Sequence, residues 1–201
     1  MNLFKTEFLP ILRTRRLTLR AMRPSDSADM YEYSHLPEVT RYLLWEEHKS
    51  RSVTQSFLKS VRRLYRSGGY YDWAIVYEGS DDDSEKLKAW RGRMIGTCGF
   101  ASIRSDDHCG EIGYVLNPEL WGLGIAAEAA EAVMRFGFDA LDLFRIEARY
   151  IAGNERSRRV MEKLGMSYEG THRAYMMIKG QLRDIGICAA LRPEFLGRSG
   201  S

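Results

Sequence analysis

Lysine is scarce in this chain: of 30 basic residues only seven are Lys, and the rest are Arg. A guanidinium presents a planar fork of donors suited to phosphate and carboxylate, so local Arg clusters carry more meaning than the total. A surplus of one sign is missing as well, since 30 Lys and Arg against 27 Asp and Glu leave a net +3 over 201 residues. Bulk charge therefore gives no case for a nucleic-acid or membrane-surface partner. Cysteine is limited to Cys98, Cys109 and Cys188, an odd number at wide spacing inside apolar stretches. That excludes a disulfide framework and a CxxC metal pair, and it fits reduced core thiols in a cytoplasmic protein. The four histidines, His35, His48, His108 and His172, lack HExxH-like spacing, so no metal is expected. No segment reaches the ~18 apolar residues of a membrane span. The opening MNLFKTEFLPILRTRR has an apolar patch but no uninterrupted apolar region or cleavage site, so no leader is expected either.

What is present suits one ordinary domain over residues 1–201, with hydrophobic residues at 44% and charged residues at 28%. The one biased segment, residues 79–88 (GSDDDSEKLK), reads as a solvated hairpin loop. Residues 16–23 alternate as a strand does, and Pro24-Ser25-Asp26 offers a turn and cap for a helix to about residue 35. Ser50 is placed to cap a second helix in which Val53, Phe57, Val61, Leu64 and Tyr65 share a face until Gly68-Gly69 stops it. Strands follow over 71–77, 94–103 and 109–116. Ile125, Ala129, Val133, Phe136 and Ala140 then recur at helical spacing. Residues 144–150 read as a strand, 154–164 as a helix ended by Gly165, and 166–176 and 182–191 as two last strands. This order predicts a mixed α/β sheet flanked by helices, with one strand-helix-strand crossover across 109–150.

The most informative stretch is residues 111–129, EIGYVLNPELWGLGIAAEA, where a strand passes through a glycine turn into a helix. Gly122 and Gly124 let the backbone turn without Cβ clashes and present N–H groups at a helix N-terminus, where the dipole favours an anion such as a pyrophosphate. Gly122-x-Gly124-x-x-Ala127 also fits a dinucleotide-binding fingerprint. That fingerprint opens directly off a strand, whereas Asn117-Pro118-Glu119-Leu120-Trp121 intervenes here. A plain strand-to-helix turn is the third reading.

The same stretch belongs to a longer series: Leu17-Thr-Leu-Arg20, Ile95-Gly96, Glu111-Ile-Gly-Tyr114, Trp121-Gly-Leu-Gly-Ile-Ala126 with Glu128-Ala129, and Arg145-Ile146. Asn154-x-x-Ser157, Glu162-Lys-Leu-Gly-Met166, Glu169-Gly170 and Asp184 complete it. In order and spacing, over about residues 15–192, this series resembles the GNAT superfamily of acetyl-CoA-dependent N-acetyltransferases, specifically its RimJ/RimL-like branch. The resemblance implies a strongly twisted mixed sheet of six to seven strands with a central splay, flanked by about four helices. It implies that acetyl-CoA enters the splay, pairing with backbone of Val115, Leu116 and Asn117. Trp121, Gly122, Leu123, Gly124, Ile125 and Ala126 would form the pyrophosphate loop, and Asn154 and Ser157 would contact the pantetheine. Asn154 also reads as an N-cap, and the two roles coexist. Arg159, with Arg156, Arg158 and Arg135, is placed for the adenosine 3′-phosphate, or else on a solvated helix face.

The implied reaction is direct acetyl transfer to an amine. Neutralising a Lys amine at pH 7 costs about 4–5 kcal/mol, an α-amine only about 1, so an α-amine needs little more than a carboxylate passing the proton through water. A protein N-terminal α-amine, of ribosomal-protein type, is the expected acceptor. A small-molecule amine (polyamine, amino acid or antibiotic) is the alternative, and a non-catalytic CoA-binding or RNA-associated module is a third reading. Glu111 is the first candidate base, because a charge in an apolar central strand is costly unless paired or used; an Arg partner or a solvated face is its plain reading. Glu169 is the second, with a surface turn as its plain reading. The oxyanion is expected on a backbone N–H near Leu116. Met161 stands where many relatives carry the tyrosine that protonates the thiolate, leaving Ser157, Tyr168 and Tyr175 as substitutes. Arg62, Arg63 and Arg66, with Tyr65, Tyr70 and Tyr71 nearby, are candidates for an RNA or acidic contact. Tyr31, Tyr33, Tyr42 and Trp45 are candidates for the acceptor wall, with core packing as their ordinary use. A monomer and a homodimer both fit.

Overall fold

Alternation in the first described residues folds as a short hairpin, β1 (Leu12–Arg13) against β2 (Leu17–Arg20), in a computed structural model that describes residues 9–198. The first eight residues, which hold most of the N-terminal apolar patch, and the last three lie outside the described residues. Pro24 opens a 3-10 turn that leads into α1 (Ser27–Ser34), followed by α2 (Pro37–Thr40) and α3 (Arg51–Ser67). Then come β3 (Asp72–Tyr77), α4 (Glu85–Lys88), β4 (Met94–Arg104) and β5 (Cys109–Leu116). The second half runs α5 (Ile125–Ala140), β6 (Arg145–Ile151), α6 (Glu155–Lys163), β7 (Ser167–Ile178), β8 (Gln181–Leu191) and α7 (Arg192–Arg198).

The strands form one sheet in the order β1-β2-β3-β4-β5-β6-β8-β7. Among the described residues there are eight strands rather than six or seven, because β1, only two residues long, is too short to show alternation. Among the described residues the helices number seven rather than about four, the extra ones being the short α2, α4 and α7. All neighbours are antiparallel except β5 and β6, joined by the crossover helix α5.

The sheet buries a different cluster on each side. On one, Ile125, Ala129, Val133, Met134 and Phe138 of α5 pack on Trp73, Ile75, Ile95, Ile112 and Ile146; each large side chain fully buried stabilises by roughly 1.5–3 kcal/mol. On the other, Met22, Met30, Tyr33, Leu58 and Val61 cover Ala74 and Met94. Here α3 corrects the expected face: Thr54, Leu58 and Val61 are buried, whereas Val53, Phe57 and Leu64 stay exposed. The helix is fixed by a polar anchor as well as by apolar area, since the Tyr65 hydroxyl donates to the Asp72 carbonyl at 2.6 Å and accepts the Met22 N–H at 3.2 Å. The acidic segment is also less solvated than expected. Asp83 is buried, accepting the Tyr77 hydroxyl at 2.7 Å and the Ser80 N–H at 3.0 Å.

The feature that positions the site is a divergence. Parallel pairing of β5 with β6 runs from Cys109↔Arg145 to Ile112↔Ala148 and stops. β5 continues along β4 to Gly96↔Leu116, while β6 continues along β8 to Ile151↔Ile185. The sheet therefore splays at its centre, as the sequence led us to expect.

Candidate functional site

A cleft of about 1340 Å³ occupies the splay. Its lining comes from both faces of the sheet: Leu120, Ile125 and Met161 on the α5/α6 side, and Val39, Tyr42 and Trp45 on the α2 side. At one mouth, Gly124 is the N-cap of α5 at φ 76°, with Gly122 at φ 82°. L-residues with a Cβ rarely adopt such angles, so glycine is required here by conformation. A glycine cap has no side chain to offer, and none bonds the first turn of α5, which leaves its N–H groups and the positive end of the helix dipole to an anion.

The loop is held from behind. Glu128, in the first turn of α5, accepts Arg16 Nε at 2.7 Å, Arg16 N at 2.8 Å and the Thr14 hydroxyl at 2.6 Å. Arg16 Nη2 also donates to the Leu123 carbonyl at 3.1 Å. Burial opposes ionisation of Glu128, but the hydrogen bonds from Thr14 and Arg16 prevail and keep its carboxyl below the ordinary range.

Of the cofactor residues expected from sequence, Val115, Leu116, Trp121, Gly122, Gly124, Ile125, Ala126, Asn154, Ser157 and Arg159 line the cleft. Leu123 and Asn117 do not. Asn117 is buried in structural contacts, its N–H given to Ile95 O at 2.8 Å and its Oδ1 accepting the Glu119 N–H at 3.1 Å. Since backbone groups alternate along an antiparallel strand, the neighbouring Leu116 N–H faces the splay, while the Leu116 carbonyl accepts the Trp121 indole at 2.9 Å. Asn154 Oδ1 caps α6 by accepting the Ser157 N–H at 3.3 Å. The basic cluster divides: the Arg156 guanidinium lies 4.3 Å from the Trp121 ring centroid, whereas Arg158 is engaged by Glu155 and Glu162. Arg135 lies outside the lining, its guanidinium near Glu131 and over Phe195.

The two candidate bases stand differently. Glu111 lines the cleft, 3.5 Å from Arg149 Nε in an ion pair that Arg149 extends to Glu147 at 3.6 Å. Glu169 lies outside it, gripped by both terminal nitrogens of Arg145, which hold its carboxyl below the usual range. Tyr168 and Tyr175 are equally remote, the first hydrogen-bonded to Thr171 and the second edge-on to His172. Tyr42 and Trp45 line the cleft; Tyr31 and Tyr33 do not, nor do Arg62, Arg63 and Arg66.

Two lining residues that sequence reasoning left without a role bear on the chemistry. Tyr114 crosses from β5 to α6, where its hydroxyl donates to the Ser157 carbonyl and lies 3.0 Å from Ser157 Oγ. Burial pushes its phenol well up. It packs against the cluster that holds Met161, and its phenol meets α6 at Ser157, one turn before the position where the helix carries methionine. The other is Asp72, whose carboxyl burial pushes up to about 7. Glu111-Ile-Gly-Tyr114 put Tyr114 in view, but only the splay gives it a partner. Among the described residues no cluster of His, Cys, Asp or Glu is arranged to hold a metal, and no helix is long and apolar enough to cross a membrane.

Known proteins resemble this chain in sequence and in fold. Residues 16–167 match the family described as Acetyltransferase (GNAT) domain. The chain is 32% identical to the uncharacterized N-acetyltransferase p20 of Bacillus licheniformis, over 92% of this chain and 98% of that one. It is 29% identical to the [ribosomal protein uS5]-alanine N-acetyltransferase of Escherichia coli, over 92% of each. Among solved structures, a GNAT-family acetyltransferase from Bacillus anthracis superposes with TM-score 0.77 at 26% identity, covering 92% of this chain and all of that one. The RimL ribosomal L7/L12 α-N-protein acetyltransferase, solved with coenzyme A, shares the fold at TM-score 0.75 and 20% identity, covering 90% of this chain and 98% of that one.

Proposed function

The chain belongs to the acetyltransferase (GNAT) domain family and is an acetyl-CoA-dependent N-acetyltransferase; from that premise we propose that its acceptor is the α-amine of a protein N-terminus, of the ribosomal-protein kind. The observation that supports this most is a cleft lined from both faces of the sheet, larger than the roughly 300–1,000 Å³ of a small-ligand pocket. It has room for a cofactor arm on the α5/α6 side and for a chain end on the side of Tyr42 and Trp45. The names of the Escherichia coli and RimL relatives point to the same acceptor class.

Acetyl-CoA supplies an activated acetyl thioester. The residues present fit it: the uncapped first turn of α5 with Gly122 and Gly124 suits the pyrophosphate, Asn154 and Ser157 flank the arm, and Arg156 or Arg159 meets the outer phosphate. The Leu116 N–H, turned to the splay, polarises the carbonyl under attack. Glu111, engaged by Arg149, belongs to the acceptor face of the cleft. On the opposite face the Tyr114–Ser157 hydroxyl pair delivers a proton to the leaving sulfur, the task Met161 cannot perform.

A mixed panel tests the reading: peptides with a free N-terminal Ala, the same peptides N-blocked but carrying an internal Lys, and small amines, each read by mass spectrometry. Acetylation of the free N-terminus is expected. Label confined to Lys side chains or to small amines would overturn it.

A further inference from the structure

Four carboxyl groups line the cleft, and two of them, Glu38 and Glu155, are exposed at its rim. The other two stand on the sheet and are not equivalent. Glu111 is engaged by Arg149, whereas Asp72 has no Lys or Arg partner among the described residues. Asp72 opens β3 in register with Gly99 of β4, and Gly99 is in register with Gly113 of β5. The row Asp72–Gly99–Gly113 ends at the splay, because β5 leaves β6 after Ile112. Two residues without side chains thus clear the floor between one carboxyl and the gap. Gly99 cannot carry a side chain, since a Cβ there would sit 2.3 Å from Asp72 Cα and 2.7 Å from its Oδ1, while at Gly113 the space above the strand is open, with nothing within 4 Å of a Cβ.

The carboxyl is also fixed in place. Tyr70 donates its hydroxyl to Asp72 Oδ2 at 3.3 Å, and the Tyr65 hydroxyl holds the Asp72 carbonyl at 2.6 Å. We infer that Asp72, reached over Gly99 and Gly113, is the group that takes the proton from the acceptor ammonium, passed to it through intervening water. This rests on the acceptor proposed above and assigns the proton a destination. R–NH3+ and the Asp72 carboxylate give R–NH2 and the carboxylic acid. The nitrogen lone pair then forms the C–N bond as the C–S bond breaks, the nitrogen sheds a second proton, and the sulfur gains one by way of Tyr114. Asp72 returns its proton to solvent, so one ammonium and one thioester yield one amide, one thiol and one proton.

Burial that lifts the Asp72 carboxyl to about 7 brings it within about one unit of a free α-amine, the condition under which a general base works best near neutral pH. The titratable groups around it do not compete. Tyr33 from α1, Tyr65 from α3, Tyr70 and Cys98 of β4 are all pushed up by burial and stay neutral at pH 7. The charged groups on the same face are Glu111 with its partner Arg149, Asp26 with Arg20, and Asp29 with Arg93.

The test compares wild type, Asp72→Asn and Glu111→Gln for kcat and KM on an N-terminal peptide from pH 5.5 to 9.5, with acetyl-CoA affinity by calorimetry. In parallel, carboxyl-carbon NMR of the free proteins follows the Asp72 titration by difference. The expected result is a wild-type acidic limb with an inflection near 7 and a carboxyl titrating there. Asp72→Asn should lower kcat at pH 7 by about 30-fold or more, bind acetyl-CoA as wild type does, and recover as rising pH deprotonates the amine itself. Glu111→Gln should keep the inflection. An Asp72→Asn profile equal to wild type, a carboxyl titrating near 4, or loss of acetyl-CoA binding in Asp72→Asn would overturn the inference while leaving the acceptor class standing. Failure of wild type to acetylate any N-terminal peptide would remove both.

Discussion

Arg16 and Glu128 join the two ends of the cofactor loop's support: Arg16 Nε lies 2.7 Å from Glu128 Oε2, while Arg16 Nη2 holds the carbonyl of Leu123 within the loop. The N-terminal hairpin and the start of α5 thus move as one piece. Replacing Glu128 with Gln should cost about 1–3 kcal/mol, the range for charge-assisted bonds made by largely buried groups. It should also weaken acetyl-CoA binding severalfold in calorimetry. The pH dependence has a definite sign. A carboxyl held below its ordinary value in the fold contributes stability above that value, near 4.5, and loses it as the pH falls. The stability gap between wild type and variant should therefore be full at pH 7 and close in acid; a gap constant from pH 7 to 3 would contradict the ion-pair account.

Gly124→Val places a β-branched residue at φ 76°. The strain, roughly 1–3 kcal/mol, is confined to a surface loop whose Cβ direction is open to within 3.8 Å. The fold should survive by circular dichroism while acetyl-CoA binding falls below detection. Wild-type affinity would show that the loop does not hold the pyrophosphate.

Tyr114→Phe keeps the ring in its cluster and removes only the hydroxyl that meets Ser157. Losing a proton donor to the leaving group should lower kcat by about 10- to 100-fold at pH 7 with acetyl-CoA affinity nearly unchanged. A poorer leaving thiol should widen the deficit, and a better one narrow it. A purely structural Tyr114 would give the same deficit with every thioester.

Asp72→Asn should have the opposite effect on stability and on turnover. A carboxyl whose value rises from 3.8 to about 7 on folding favours the fold fully below 3.8 and loses that contribution as the pH climbs to 7. Wild type and variant should melt alike near pH 4. At pH 8 the variant should be more stable by about 1–3 kcal/mol, allowing for solvent in the cleft. Equal melting at pH 8 would place the carboxyl in the ordinary range.

Some of this was legible in the sequence because it is local. Gly122 and Gly124 announce their turn by backbone angles that residues with a Cβ rarely adopt, and the periodicity of Ile125, Ala129 and Val133 places α5 on the core. Other features depend on what the fold brings together. The apolar spacing on α3 puts Val53, Phe57, Val61, Leu64 and Tyr65 on one face, yet with Tyr65 bonded to Met22 and Asp72 the buried stripe is Thr54, Leu58 and Val61. Glu169 looked available until Arg145, far away in sequence, closed on it. Asp72 sits at a strand start like any turn acid. Its meaning comes from Gly99 and Gly113, which become its neighbours only when three strands align.

The stop in pairing after Ile112↔Ala148 also makes the sheet a hinged object. β1 to β5 form one leaf and β6 to β8 another, joined along β5 and β6 only from Cys109↔Arg145 to Ile112↔Ala148. An unpaired strand border normally lies at a protein's perimeter, where it recruits foreign strands. Here the border is interior and walled by helices, open to a slender chain that carries its own amides. Such a chain, bound along both leaves, acts as a strut across the hinge and couples them into a single cooperative body.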